Sequence, residues 1–221
     1  MPLSSEIKKS IEDAVAGNFR EEIEFVQKMV QYGGQRGEEH EALDELYRQY
    51  TSRGYHTTKL EMDHQALSQH SSAGRISDAH SKAPVVIGIH EPRSSTPGGN
   101  SLVLNSHIDI VPNGPKELWT HDPYSGIIEG DWLYGRGSAD MRAGAVANLY
   151  ALDALRRIGK QPASKVVIEA VPEEESTGNG TMTAHLAGYT ADAVLIPEPT
   201  NEELVRANVG VIWFKIAVAG R

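Results

Sequence analysis

The chain contains no cysteine. Disulfides and thiolate ligands are therefore excluded, and any bound metal must use histidine and carboxylate groups. No apolar run approaches the roughly 20 residues needed to cross a bilayer. The N-terminal stretch MPLSSEIKKS lacks the apolar core of a secretion signal. Basic residues are in short supply, with 21 Lys and Arg against 30 Asp and Glu, for a formal charge of −9. That balance argues against nucleic acid as a partner, since no basic stripe is available to neutralise phosphates. We therefore expect a cytoplasmic protein with neither membrane nor nucleic-acid partners. The remaining composition, 39% apolar and 23% charged, is ordinary for a globular protein. Its 221 residues suffice for one sizeable core, or for one domain and the start of another.

Apolar residues recur at helical spacing at Ile7, Ile11, Ala14 and Val15, and again at Phe19, Ile23, Val26 and Val30. Gly17 and Asn18 lie between the two sets as a possible break. RGEEHEALDELYRQYTSRG reads as a second helix with Leu43, Leu46, Tyr47 and Tyr50 on one face and Gly54 as its stop. YHTTKLEMD follows as a strand. From Asp63 to Ala83 the sequence turns to Ser, His, Gln and Gly, which predicts a long irregular connection with His64, His70 and His80 solvated. PVVIGIH and SLVLNSH are dense β-branched runs suited to buried strands, joined by the turn PRSSTPGGN. A helix is expected over 141–158, with Val146, Leu149, Leu152 and Leu155 on its apolar side. Strand KVVIEAV, a helix around TMTAHLAG and strand ADAVLIP complete the order. Strands alternating with helices predict an α/β fold around a largely parallel sheet flanked by helices.

Polar residues collect at the carboxyl ends of these strands, where open α/β sheets bind ligands. SLVLNSH leads into His107, Ile108 and Asp109. KVVIEAV leads into Glu173, Glu174 and Glu175. ADAVLIP leads into Glu198, and LYGRGSAD places Asp140 before a helix. Each has an ordinary reading. An acidic triplet is by default a solvated loop tip. Asp140 alone reads as an N-cap, and Glu198 between two prolines could simply end a strand. In an extended segment His107 and Asp109 point the same way, so a carboxylate could fix the tautomer of a metal-bound imidazole. Gly135 and Gly137 suggest a tight backbone path into Asp140.

Taken together, SHIDIVP, LYGRGSADMRAG, VPEEESTGNG and IPEPT, in this order and spacing, resemble the signature blocks of one metallohydrolase family. It is the family of acetylornithine deacetylase, succinyl-diaminopimelate desuccinylase, aminoacylase and glutamate carboxypeptidase. The resemblance is densest from Ser101 to Thr200. It implies a dinuclear-zinc exopeptidase-like catalytic domain in which two Zn2+ ions, or Co2+ or Mn2+, share a carboxylate and a water. Transferred position by position, His107 and Glu198 would bind one metal, Asp140 would bridge both, and Glu175 would bind the second. Glu174 would be the general base and Asp109 would orient His107. Glu173 stands where the family usually has Asp, and would be a supporting or solvent-facing carboxylate. Arg142 and Ala143 replace the frequent Lys and Gly. A cis peptide is expected between Asp140 and Met141.

The implied activity is amide hydrolysis of N-acyl amino acids by a deacetylase-like or desuccinylase-like amidohydrolase. A dipeptidase or carboxypeptidase of the same family is the alternative, and a truncated, inactive metal-binding fragment is a third reading. Glutamate at position 198 leans towards the acetylornithine and succinyl-diaminopimelate branch. Family members draw a further histidine for the second metal from near their C-terminus, and no equivalent is found here; His185 has no matching motif. We expect 1–206 to be the N-terminal portion of the catalytic domain. NVGVIWFKIAVAGR resembles the entry to a lid domain, so 207–221 would be its first strand. In the family that lid carries the homodimer contacts.

Overall fold

The computed structural model describes residues 3–77, 79–92, 99–207, 210, 214 and 216–220. Helix α1 spans Ser5–Gln31 and α2 spans His40–Ser52. Strand β1 (His56–Leu60), the short helix α3 (His64–Ser68), β2 (Val85–His90) and β3 (Leu102–His107) follow. A hairpin of β4 (Ile127–Glu129) and β5 (Trp132–Tyr134) precedes a π-turn at Ser138–Arg142 and helix α4 (Ala143–Arg157). Then come β6 (Val166–Val171), α5 (Asn179–Leu186) and β7 (Ala193–Leu195).

The main sheet has the order β1-β2-β6-β3-β7. The pairs β6/β3 and β3/β7 are parallel, and β2 is antiparallel to both β1 and β6. Four strands thus run one way, and β2 alone opposes them. The sheet is mixed α/β and flanked by helices, as the alternation of elements predicted. One face packs Val86, Leu104, Val166, Ile168 and Ala170 against Phe25, Met29, Leu43, Leu46, Val146 and Leu149 from α1, α2 and α4. The other face packs Val85, Ile87, Val103, Val167 and Val171 with Ala184 of α5. All six residues of β6 are buried, which is why its sequence shows no polar alternation.

Several expectations change. Gly17 and Asn18 do not break the first helix, which runs unbroken through them. The Asn18 side chain accepts a hydrogen bond from Arg157, and the guanidinium lies over Gly17, so tertiary contacts offset the weak helix propensity there. The connection 63–83 is not wholly irregular. Asp63 accepts from the amides of Gln65 and Ala66 and so starts α3. The β4–β5 hairpin is an element beyond those expected, and it turns at Gly130, whose φ is +60°. Most of the turn expected at 92–100, and much of the strand expected at 207–221, falls outside the described residues. No described helix is long and apolar enough to cross a membrane.

Arg142 is fully buried and donates to the carbonyl oxygens of Met29, Gly33 and Ile108. It therefore ties the end of α1 to the end of β3. Burial lowers its pKa to about 10, leaving it charged at neutral pH. A lysine would carry the charge without this planar fork.

Glu169, in the middle of β6, lies on the face under α5. Its Oε2 accepts from Asn105 at 2.7 Å, while Oε1 is buried and has no hydrogen-bond partner among the described residues. Burial raises its pKa from 4.5 to about 7, with Asn105 opposing. The unfolded chain therefore releases this proton at lower pH than the folded one. Stability is full below about pH 4.5 and falls as pH rises through about 7, by up to roughly 3 kcal/mol. Glu169→Gln should thus be more stable than the parent at pH 8.5, by ~1–3 kcal/mol, with the gap shrinking by pH 5. Urea denaturation at the two pH values checks this, and equal gaps would contradict it.

Candidate metal centre

The site forms where β3, β6 and β7 end, at the carboxyl edge of the parallel strands. His107 is the last residue of β3 and is 1% exposed. Its Nδ1 lies 2.9 Å from the backbone carbonyl of Asp109. A carbonyl can only accept, so Nδ1 carries a proton, and Nε2, hydrogen-bonded to Asp140 Oδ1 at 3.0 Å, is the ring nitrogen that faces the carboxylates and could take a metal. Behind the ring, the buried Met141 sulfur accepts from the His107 amide at 3.2 Å.

Three carboxylates converge on His107 Nε2: Asp140 at 3.0 Å, Glu198 at 3.5 Å and Glu174 at 3.8 Å. Two sets of side chains lie close enough to share a cation. One is His107, Glu174 and Glu198; the other is His107, Asp140 and Glu175. All four residues expected as ligands, His107, Asp140, Glu175 and Glu198, are therefore brought together, and Glu174 joins them.

Asp140 does not act as a helix cap. The π-turn carries it at φ −114°, ψ 101°, with no capping bond from its side chain, and its peptide to Met141 is cis. Gly137, at φ +76°, allows the close turn before it, and a Cβ there would collide with Ile110. The tight path suggested by the two glycines is thus present.

Asp109 differs from expectation. Its carbonyl, not its carboxylate, holds the imidazole. The carboxylate Oδ1 is 3.6 Å from Nδ1 and instead accepts the amides of Glu174 and Glu175, Oδ1 and Oδ2 each at 3.1 Å. One buried residue therefore sets both the tautomer of His107 and the place of the glutamate loop.

Glu173 is not solvent-facing. It is wholly buried and paired with Arg36. Burial alone would raise its pKa, but Arg36, the Ser81 amide and the Thr177 hydroxyl bring it down to about 2. His80 also departs from the solvated reading. Its side chain is 6% exposed, 3.9 Å from Glu173, and its ring lies tilted against that of His64, with centroids 4.3 Å apart. Neither it, nor His64, His70 or His185, belongs to the two sets. Arg36 and Ser81 were invisible in the sequence because their partner lies more than ninety residues away.

The electrostatics suit a cation. Burial raises the pKa of Asp109, Glu174, Glu175 and Glu198, and neighbouring carboxylates add to this in every case. Burial lowers that of His107, but Asp109, Glu198 and Glu174 hold it above its ordinary value. Five carboxylates around one imidazole are oxygen-rich donors with too little positive charge, and a divalent ion answers both features.

A profile described as Peptidase family M20/M25/M40 matches residues 103–216, slightly more than half of the chain. The chain belongs to this family. Curated proteins similar to this M20/M25/M40 chain include a probable succinyl-diaminopimelate desuccinylase of Staphylococcus aureus, 31% identical over 56% of this chain and 31% of its own length. Another is the N-formyl-4-amino-5-aminomethyl-2-methylpyrimidine deformylase of Bacillus subtilis, 30% identical over 52% of this chain and 28% of its own. The aligned stretch thus spans about three tenths of these relatives. Among solved structures, the di-peptidase Dug1p of Saccharomyces cerevisiae has a TM-score of 0.68 at 15% identity, covering 85% of this chain and 40% of that one. At that identity the likeness concerns the fold.

Both cation sets share His107, and only its Nε2 is available. One imidazole nitrogen serves one ion. Calorimetric titration of this 221-residue chain with Zn2+ or Co2+ should therefore give about one tight equivalent, lost in His107→Ala. Two tight equivalents per chain would contradict this ligand count.

Proposed function

We propose that this chain is the N-terminal part of a metal-dependent hydrolase that cleaves the amide bond of N-acyl amino acids. The convergence of Asp140, Glu174 and Glu198 on Nε2 of His107 carries this reading. The names of the two curated relatives support the N-acyl class, since both describe removal of an acyl group. His107, Asp140, Glu175 and Glu198 would hold Zn2+, with Co2+ or Mn2+ also compatible with so oxygen-rich a set. When bound, such ions lower the pKa of a water and polarise the scissile carbonyl.

Within this reading the protein's own groups have distinct tasks. Glu174 takes a proton from the attacking water and returns it to the leaving amine nitrogen. Its partial exposure leaves it open to substrate, and its raised pKa suits a group that must both accept and donate. Asp109 keeps the amides of Glu174 and Glu175 in place and keeps the proton of His107 on Nδ1. A cytoplasmic location, and homodimerisation through a second domain that begins near residue 207, belong to the same proposal.

Full-length protein loaded with Zn2+ or Co2+ should hydrolyse N-succinyl or N-acetyl amino acids faster than dipeptides. Activity on neither class would sink the proposal, and faster dipeptide cleavage would move it to the peptidase branch. Glu174→Gln should lower kcat by about 10²–10⁴ while metal content stays unchanged. Loss of metal in that variant would make Glu174 a ligand rather than the base.

A further inference from the structure

Glu173 has no chemical step in the scheme above, yet it is held by a dense set of contacts. Its carboxylate accepts Nε and Nη2 of Arg36 at 2.6 and 2.8 Å, the Ser81 amide at 2.6 Å and the Thr177 hydroxyl at 2.9 Å. Its backbone lies at φ +70°, a left-handed conformation that a glutamate adopts only when its surroundings hold it. Its carbonyl accepts the amides of Thr177 and Gly178 at 3.0 and 2.8 Å. Three stretches remote in sequence, near residues 36, 81 and 173–178, therefore meet on one side chain. The next two amides, of Glu174 and Glu175, are fixed on Asp109. The loop is gripped at its start by Arg36 and Ser81 and at its next two residues by Asp109.

We propose that Arg36 and Glu173 are a positioning pair that fixes the direction in which Glu174 and Glu175 present their carboxylates to the metal centre. The proposal rests on the function above for the nature of the cation, and on hydrogen-bond geometry for everything else. Chain length matters to it. Aspartate is one methylene shorter and could not meet both the Arg36 fork and the Ser81 amide without drawing the backbone of residue 173 towards them. That shift would pass directly to the two neighbouring carboxylates. Lysine at position 36 would keep the charge but not the two parallel bonds. The Arg36 side chain is 32% exposed, so it reaches solvent as well as the buried Glu173 carboxylate.

The test uses this chain with Co2+ alone as the probe, together with amide exchange of the metal-free chain by NMR. Arg36→Met and Glu173→Asp should weaken Co2+ binding about 10-fold, the usual effect of removing a group that supports a ligand. They should also alter the visible Co2+ spectrum and speed exchange of the Glu174 and Glu175 amides, while β6 amides keep their protection. Arg36→Lys should fall between these variants and the parent. Parent-like exchange and Co2+ affinity in Arg36→Met would overturn the pair. So would exchange that rises through β6 in step with the loop, because that marks a general contribution to stability. If the parent chain takes up no Co2+, the metal reading fails while the exchange rates still decide the pair. If Glu173→Asp does not fold, the two Arg36 variants carry the decision.

Discussion

Too many carboxylates for the available positive charge is the constraint around which this end of the molecule is built. Asp109, Asp140, Glu174, Glu175 and Glu198 all lie around one imidazole. Left free, such groups would swing apart or take up protons. Each is instead held by its backbone. Asp140 sits in a π-turn, Glu174 and Glu175 hang from Asp109, and Glu198 follows the last strand between two prolines. The cost of crowding is met by the fold, which leaves the oxygen atoms poised for an ion.

The supporting layer follows from the same constraint. Arg142 lies two residues from Asp140 and donates to three carbonyls, so the segment that presents the carboxylate is tied to α1 and β3 at once. Arg36 does the equivalent for the glutamate loop. Gly74 lets the 63–83 connection approach that loop closely. Its amide donates to Asn179 at 2.8 Å, and a Cβ on it would collide with Thr177. The polar connection, featureless as a sequence, is thereby part of the scaffold behind the site.

Local patterns made much of this legible. Dense β-branched runs marked β2, β3 and β6, and helical spacing marked α1, α2 and α4, because burial on one or both faces dictates residue type at short range. His107, Asp140, Glu174, Glu175 and Glu198 could be picked out because each follows directly on a strand or precedes a helix. Their mutual contacts could not be read, nor could the split duty of Asp109, whose carbonyl and carboxylate serve different partners. Arg36, Ser81 and His80 stayed hidden for a similar reason: their roles depend on a carboxylate far along the chain. Sequence spacing also gave no warning that Gly17 and Asn18 would be carried through an unbroken helix, since Arg157 supplies the reason from outside it.

The strand order has a consequence for how the chain comes together. β2 and β3 are neighbours in sequence but do not pair; β6 lies between them and forms both ladders. During synthesis the first 165 residues therefore contain two apolar strands, each with an open edge, and nothing to join them. Long-range pairing of this kind is slow, because a large loop must close before any ladder forms. Arrival of Val166–Val171 closes the centre of the sheet, adds apolar side chains to both faces and, two residues later, brings the first glutamate of the triplet to Arg36. The centre of the sheet and the glutamate loop thus depend on a single strand that inserts between two others, while α5 and Glu198 follow it in the chain.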